Sequence, residues 1–351
     1  MGLRLRQLLG LVWLLDGLLQ FQPSMFTSHL TTDIMGATTQ GQPGIVAATL
    51  QPGIDFSTAH VVAVNLFIAA LQIALGLCLL TGRFARPALM GAVAWSLLVW
   101  YGGEGLGMLL TGQASALTGA PGPVLLYALL GLAAFPTRAA VLPLSRVSLR
   151  WFLAGFWLLA AALQLQPSWW QTQQISLTIA SNRAPGTLQA ALLGPSLAWA
   201  AHVTAHWEVA LNIAIIAMCA GLGLTLSTAR PQRLRPLLVA SSVLSLLFWW
   251  ATQGCGQLLT GGTTDVNSGP LLVLLALACW PAVPAIHGSR VQLTPDRAEA
   301  VQQADREDGD CPARPDVCSP LDPAVLSAGA AYLEEQLALY MSRTCLDPGI
   351  R

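Results

Sequence analysis

The chain has 351 residues, of which 54% are hydrophobic and only 10% are charged. Soluble globular domains carry about 25% charged residues, so this composition excludes an ordinary soluble protein and indicates an integral membrane protein. The 17 basic and 17 acidic residues are unevenly spread, because residues 1–290 hold 12 arginines and 6 acids, whereas residues 291–351 hold 5 arginines and 11 acids. We expect the lipid bilayer, and no nucleic acid, as the main partner.

Eight apolar stretches are long enough to cross a bilayer, which takes roughly 17–25 residues of helix. The first follows two arginines and is interrupted by Asp16, and no small-residue cleavage site follows it. We therefore interpret it as an uncleaved helix rather than a signal peptide. The predicted spans are about 6–22, 58–82, 87–111, 121–137, 149–166, 205–227, 236–260 and 269–286.

The arginines of residues 1–290 fall almost entirely on one side of these spans. Eleven lie on that side, and Arg183 alone lies on the other. Because positive charge is retained on the cytoplasmic side of a membrane, both termini are predicted to be cytoplasmic. The predicted location is the bacterial inner (plasma) membrane, with multiple passes.

Two long segments, 23–57 and 167–203, lie on the predicted outer side between consecutive spans. They alternate apolar residues with Gln, Thr, Ser, Pro and Gly, and are neither charged nor low in complexity. This composition is typical of helices that lie in the membrane interface. We therefore expect short helices in both segments.

An internal duplication determines the predicted architecture. "WLLDGLLQFQPS" at 13–24 matches "WLLAAALQLQPS" at 157–168, and "GPVLLYALLGLAAFP" at 122–136 matches "GPLLVLLALACWP" at 269–281. Because each copy has four spans, the copies must have the same orientation. The predicted fold is all-α, with eight transmembrane helices in two parallel four-helix repeats. The predicted domains are 1–147, 148–287 and an acidic cytoplasmic tail, 288–351.

The tail contains one predicted amphipathic helix at about 322–343. Asp322 is its predicted N-cap and Pro323 its first residue. Apolar residues spaced three and four apart follow, which indicates a face that docks on a partner protein or on the membrane. The sequence assigns no role to the three tail cysteines, Cys311, Cys318 and Cys345.

Ionisable residues inside a span are costly and usually face the bundle interior or a cavity. Asp16 lies in the first predicted span, His60 begins the second, and Glu104 lies near the outer end of the third. All three fall in the outer half of the first copy. We predict that Glu104, Asp16 and His60 form a catalytic cluster that handles protons. The alternative is structural, with a buried neutral acid that donates a hydrogen bond to a neighbouring helix.

The second copy has different residues at these positions. Gln253 stands in place of Glu104, and Ala160 in place of Asp16, so the fold itself does not require charge there. This difference favours a functional role for the acids of the first copy. Four further polar residues are predicted to help bind a cofactor: His206, Glu208, Gln253 and Asn65.

Two histidines of the second copy form a possible metal pair. His202 and His206 are four residues apart and so lie on one face of a helix, as zinc or copper ligands can. The alternative is that these histidines, near the start of a helix, form hydrogen bonds with loop carbonyls and lipid headgroups. We predict no metal site and keep this pair as an alternative.

The four-helix unit resembles the DoxX/DoxD-like membrane proteins. The resemblance rests on "WLLDGLLQFQP", on "GEGLGMLLTG" and on the following "GPVLLYALLGLAAFP", and it covers about 1–287 as two tandem units. A better-known member is the membrane subunit of a thiosulfate:quinone oxidoreductase, and others are partners of redox enzymes. The resemblance implies a redox-associated subunit with a quinone as its cofactor.

Three functions are compatible with these features. The first is a redox-associated subunit with an outer-half site for a quinone or another small molecule. Since no haem, flavin or iron–sulfur motif is present, its electrons would come from a partner, which would bind the outer loops or the tail. The second is a transporter for a small solute or metal ion. The third is a non-catalytic scaffold or assembly subunit.

Overall fold

The computed structural model of the chain describes residues 2–135 and 144–281. In these two ranges every regular element is a helix or a helical turn, and none is a strand. The all-α class predicted from the sequence is therefore confirmed. The predicted tail helix at 322–343 and the three tail cysteines lie outside the described residues.

Five α-helices occupy the first range. The helices are α1 (Gly2–Leu19), α2 (Gly44–Ala59), α3 (Val61–Thr81), α4 (Ala85–Gly102) and α5 (Pro123–Ala133). Short 3-10 or π-helical segments lie between them, at Pro23–Phe26, His29–Met35, Gly36–Thr39, Leu106–Met108 and Ala116–Thr118. The first outer segment is thus helical, as predicted, although α2 is longer than the short helices that the sequence predicted.

Seven α-helices occupy the second range. The helices are α6 (Arg146–Leu163), α7 (Gln174–Ser181), α8 (Leu188–Leu192), α9 (Gly194–Ala205), α10 (Glu208–Thr228), α11 (Pro231–Ala251) and α12 (Ser268–Ala278). Short helical turns lie at Pro167–Trp170 and Gly254–Gln257. The second outer segment therefore contains three short helices, as predicted.

Four helices of the described residues are long and apolar enough to cross a membrane: α3, α6, α10 and α11. Helices α5 and α12 are apolar, but each has only 11 residues. At 1.5 Å per residue such a helix spans about 16 Å, roughly half of the hydrocarbon thickness of a bilayer. The arrangement of eight spans in two repeats stays a prediction.

Two predicted spans end earlier than the sequence analysis expected. The span predicted at 87–111 ends at Gly102, and the span predicted at 236–260 ends at Ala251. Glycines beyond each end have positive φ angles, 62° at Gly107 and 69° at Gly256, which a continuing right-handed helix does not permit. Glu104 therefore lies after a helix end rather than inside a span.

Glycines allow α1 to pack closely along α3. A Cβ atom placed on Gly76 would lie 2.7 Å from the backbone nitrogen of Leu14. In the second range α6 packs along α10, and a Cβ on Gly223 would lie 2.7 Å from Leu158 Cγ. Such close backbone approach is the usual basis of helix packing in lipid.

We expect Gly76→Ala to lower the thermal unfolding midpoint in detergent. The added methyl must separate α1 from α3, and overpacking of this kind costs about 1–3 kcal/mol. Gly221→Ala is the matched control, because its Cβ would meet no atom within 4 Å. A midpoint equal to that of the control would contradict the close approach of α1 and α3.

The two ranges meet in the centre of the molecule, where α5 contacts α12. Helix α1 also contacts α5, and α6 contacts α12. The contact between α5 and α12 joins both ranges into one compact unit. The contact between α1 and α5 brings Tyr127, a buried residue of α5, against α1.

Candidate functional site

The three residues predicted to handle protons line one cavity. Its volume is about 750 Å³, and its walls include residues of α1, α2, α3, α4 and α5. Asp16 comes from α1, His60 from the junction of α2 and α3, and Glu104 from the loop after α4. The structure therefore brings to one cavity three residues that are up to 88 positions apart in the chain.

Asp16 forms a buried pair with Tyr127. The tyrosine hydroxyl donates a hydrogen bond to Asp16 Oδ2, and both side chains are 1% exposed. The Tyr127 ring lies against Trp13, with ring centroids 4.7 Å apart. Asp16 Oδ1 has no hydrogen-bond partner among the described residues. One oxygen of this carboxyl is thus held by Tyr127, and the Val266 amide lies close to the same carboxyl.

Glu104 connects the loop after α4 to the start of α5. Its Oε1 atom accepts a hydrogen bond from the Val124 amide at 3.2 Å, in the first turn of α5. Gly122 precedes that turn and has no side chain with which to cap it, so Glu104 supplies the cap from another part of the chain. Glu104 Oε2 has no partner within the described ranges.

His60 lies on the exposed side of the cavity. It separates α2 from α3, and its ring packs against the tilted ring of Phe56 with centroids 4.9 Å apart. The other exposed lining residues near it are aromatic or apolar, among them Phe67 and Leu98. The opening of the cavity is therefore apolar, with one titratable ring.

A third carboxyl, that of Asp265, also lines this cavity and was not predicted from the sequence. Asp265 belongs to the loop between α11 and α12, in the second range, yet it lines the cavity together with Thr264. Its two oxygens accept hydrogen bonds from the Asn267 amide at 2.7 Å and from the Thr264 hydroxyl at 3.0 Å. Burial raises the pKa of Asp265. Its one sequence signal is that it is among only six acids in residues 1–290.

Residues of the first outer segment hold the loop that carries Asp265. The His29 ring bridges Asp33 Oδ2, at 2.9 Å, and the Gly262 carbonyl, at 3.1 Å. Ser24 donates to the Gly261 carbonyl, and Gln22 donates to the Thr263 carbonyl at 3.3 Å. The hydrogen bond from His29, helped by another from Thr32, lowers the pKa of Asp33.

Four more buried polar atoms of the cavity wall lack a hydrogen-bond partner among the described residues. Two are acceptors, Gln20 Oε1 and Gln72 Oε1, and two are donors, Trp13 Nε1 and Trp95 Nε1. Leaving such an atom unpaired costs about 1–3 kcal/mol. Several unpaired atoms around one cavity indicate a site that is completed by a bound molecule.

The residues predicted to bind a cofactor lie outside this cavity. Asn65 donates to the Gln20 carbonyl at 2.8 Å, and Asn212 makes the matching contact to the Gln164 carbonyl at 3.5 Å. Gln253 is buried and donates to the Ala116 carbonyl and to the Ser268 hydroxyl. These contacts join helices and loops to one another.

Glu208 and His206 have structural contacts of another kind. Glu208 accepts hydrogen bonds from the Ile175 and Ser176 amides, at 3.0 and 2.9 Å, in the first turn of α7. The exposed His206 donates from Nδ1 to the His202 carbonyl at 2.8 Å. The acceptor of the second contact is a carbonyl in the last turn of α9, not a loop carbonyl. No group of three metal-ligating side chains occurs within 2–135 and 144–281.

We expect Glu208→Ala to lower the thermal unfolding midpoint, because it removes the acceptor for two amides at the start of α7. Loss of a helix cap costs about 0.5–2 kcal/mol. Glu208→Gln is the matched control, since its carbonyl oxygen still accepts from one of the two amides. If Glu208→Ala unfolds at the same temperature as the wild-type protein, the capping role is wrong.

Several cavity residues differ between the two copies, although Trp13 and Gln20 are matched by Trp157 and Gln164. Asp16 and Tyr127 in the first copy match Ala160 and Leu274 in the second. At three further positions the first copy has a polar or aromatic residue and the second copy has a smaller or less polar one. These pairs are Gln72 and Cys219, Trp95 and Leu244, and Glu104 and Gln253. In contrast, Trp100 and its match Trp249 donate equivalent hydrogen bonds, to the Pro121 and Val266 carbonyls.

A single substitution explains why Trp13 lacks a partner. The matching Trp157 donates from Nε1 to the Ser241 hydroxyl at 2.9 Å. The first copy has Ala92 at the position of Ser241, so it offers no hydroxyl there. The Trp13 donor is therefore buried without a partner among the described residues.

No known protein resembles the chain closely enough to assign its family. No family model, no curated protein and no solved structure matches it. The resemblance to DoxX/DoxD-like proteins therefore stays a prediction. The evidence for a function is therefore the cavity, its volume and its unpartnered polar atoms.

Proposed function

We propose that this chain is an integral membrane protein that binds a small amphiphilic molecule in the cavity between α1 and α5. The observation that carries the proposal is a cavity of about 750 Å³ with mainly apolar walls and several buried polar atoms that lack partners. Small-molecule sites have this size, about 300–1,000 Å³, and this mixture of apolar walls and few polar groups.

The proposed architecture is eight spans in two parallel repeats, with both termini cytoplasmic in the inner membrane of a bacterium. Equivalent hydrogen bonds in the two copies support a repeat, because Asn65 and Asn212 bind carbonyls at matching helix ends. The distribution of arginines supports the orientation. In this topology the cavity lies in the outer half of the first repeat.

A redox-associated subunit of the DoxX/DoxD type, with a quinone in the cavity, is a second candidate function. The Asp16–Tyr127 pair favours it, because reduction of a quinone needs proton donors within hydrogen-bond distance. Electrons would come from a partner enzyme. Loss of quinone-dependent activity in Tyr127→Phe, with unchanged binding of the partner, would support this candidate.

Native mass spectrometry of the full-length protein, released from mild detergent, tests the proposed function. The probes are octylamine, octanol and a short-chain ubiquinone, added separately. Gly53 lines the cavity, and a Cβ there would meet no atom within 4 Å, so Gly53→Phe places a ring in the cavity. Gly44→Phe is the matched control, on the same helix but outside the cavity wall.

We expect at least one probe to bind the wild-type protein and Gly44→Phe, and to bind Gly53→Phe at least about tenfold more weakly. Binding of no probe, or equal binding to all three proteins, would overturn the proposed function.

A further inference from the structure

The unpartnered atoms of the cavity are mostly acceptors. Four oxygens lack a hydrogen-bond partner in the described ranges. Two are carboxyl oxygens, Asp16 Oδ1 and Glu104 Oε2, and two are amide oxygens, Gln20 Oε1 and Gln72 Oε1. Asp16 and Gln20 are each 1% exposed, so water does not reach these oxygens freely. The complementary molecule is therefore one that donates several hydrogen bonds.

The cavity also has an excess of negative groups. Three of the six acids in residues 1–290 line it: Asp16, Glu104 and Asp265. Of the described residues that form its wall, none is an arginine, and His60 on the exposed side is the one basic group. Buried carboxylates without a counter-charge are strongly destabilising, so such a wall favours a positively charged occupant.

Protonation of the acids is the other way to remove this charge. A neutral carboxyl has an O–H group, so protonated Asp16 and Glu104 would donate hydrogen bonds and would no longer favour a cation. The two states differ in the molecule that they bind: ionised acids favour a molecule that brings a positive charge and several N–H donors, whereas protonated acids favour a neutral one.

Size and shape distinguish an organic cation from a metal ion. The described residues contain no group of three carboxyl, histidine or cysteine side chains close enough to hold a metal. A volume of about 750 Å³ is far larger than one ion requires. Trp13, Trp95 and Tyr127 line the same space, and aromatic faces attract organic cations.

We propose that the cavity selects a protonated amine with an apolar body. Its ammonium group lies among Asp16, Glu104 and the amide oxygens, and its apolar part lies toward the opening near Phe67 and Leu98. This inference rests on the proposed function and adds the chemical class of the bound molecule. A bound quinone is the competing outcome, because its carbonyl oxygens accept hydrogen bonds and do not donate them.

The second copy supports the assignment by contrast. At the positions of Asp16 and Gln72 it has Ala160 and Cys219, which offer no strong acceptor. There Gln253 has replaced Glu104, and its amide nitrogen is already bound to Ala116 and Ser268. The two acids and Gln72 are thus specific to the first copy, whereas Gln20 is matched by Gln164, and Gln253 Oε1 also lacks a partner among the described residues.

The test compares four probes by native mass spectrometry or calorimetry on the full-length protein in nanodiscs, with empty nanodiscs subtracted. The probes are octylammonium, octanol, octyltrimethylammonium and a short-chain ubiquinone. Octanol has the same apolar chain without charge, and octyltrimethylammonium has the charge without N–H donors. We expect octylammonium to bind at least about tenfold more tightly than either, since a hydrogen bond to a charged group contributes about 1.5–3 kcal/mol.

Two variants test which side chains recognise the ammonium group. Asp16→Asn and Gln72→Leu should each weaken octylammonium binding about tenfold or more and leave octanol binding unchanged. Asp55→Asn is the matched control, because Asp55 is an exposed acid of α2 that does not line the cavity. It should bind octylammonium as the wild-type protein does.

Three results would overturn the inference: octanol binding as tightly as octylammonium, ubiquinone binding in preference to it, or equal losses for Asp16→Asn and Asp55→Asn. Each of these leaves the proposed function intact, because a molecule still binds. Absence of binding for every probe would instead remove the proposed function itself.

Discussion

Gly107→Ala is expected to cause the largest loss of stability of any single methyl addition in the loop after α4. A Cβ on Gly107 would lie 1.8 Å from the Pro121 carbonyl oxygen, and the residue has a φ angle of 62°. Both the clash and the left-handed backbone oppose the substitution. Because the clash is with backbone, no side-chain rotation relieves it. The loop after α4 would have to move away from α5.

The expected loss is about 3 kcal/mol or more in the free energy of unfolding, since the clash adds to the backbone strain. Gly112→Ala is the matched control, because Gly112 also has a positive φ angle, 73°, but its Cβ would meet nothing within 4 Å. The measurement is the thermal unfolding midpoint of each purified variant in the same detergent. Equal midpoints for the two variants would show that the contact with Pro121 is wrong.

Gly107→Ala should also reduce binding of octylammonium in whatever fraction remains folded. The loop after α4 carries Glu104, whose Oε1 atom binds the Val124 amide. Movement of that loop displaces the carboxyl from the cavity wall. Gly112→Ala should bind octylammonium as the wild-type protein does.

Variants of the Asp16–Tyr127 pair distinguish an effect on unfolding stability from an effect on octylammonium binding. Tyr127→Phe removes the hydroxyl that donates to Asp16, and leaves a buried carboxyl oxygen without its donor. The expected cost is about 1–3 kcal/mol, with the larger value if the carboxyl is ionised. The double variant Asp16→Ala/Tyr127→Leu copies the pair found in the second copy, Ala160 and Leu274. It removes both polar partners together.

We expect the double variant to unfold at a higher temperature than Tyr127→Phe, because no unpaired polar atom remains from this pair. We expect it to have lost octylammonium binding, since it lacks the Asp16 carboxyl. Thermal unfolding and probe binding of the wild type, Asp16→Ala, Tyr127→Leu and the double variant measure the coupling of the pair. A double variant that is less stable than Tyr127→Phe but binds octylammonium normally would assign the pair a purely structural role.

The sequence predicted the helical class, short helices in the two outer segments, and a proton-handling cluster of Asp16, His60 and Glu104. The structure confirms the helical class and places these three residues in the wall of one cavity, while their proton-handling role stays a prediction. The helical class was predictable because it depends on local patterns. Apolar runs indicate helices, and an acid within an apolar run indicates an interior position. The comparison of the two copies identified Glu104 as a difference, although it did not reveal that Glu104 also caps α5.

The helix ends and Asp265 were not predictable in the same way. The apolar character continues past Gly102, so hydropathy alone did not indicate that the glycines there take left-handed angles. Asp265 lies in a polar loop, 161 positions after Glu104, and only the packing of the two ranges brings it to the cavity. Its neighbours in the chain gave no pattern that indicated such a contact.

The same limit applies to the residues predicted to bind a cofactor. Asn65, Glu208 and Gln253 are polar residues near helix ends, and such residues suit both a binding site and a structural contact. In the structure each of them is bound to a backbone or hydroxyl group of a neighbouring segment. Sequence spacing does not show where a side chain finds its partner.

The loop that carries Asp265 makes the two copies unequal partners. In a symmetric pair of identical units, each unit would lend the same loop to the other, and two equivalent cavities would form. Here Asp265 completes the cavity of the first copy, while His29, Ser24 and Gln22 hold its loop in place. Because the two copies belong to one chain, they can differ from each other. The first copy contributes most of the cavity wall, and the second copy contributes the loop that carries Asp265.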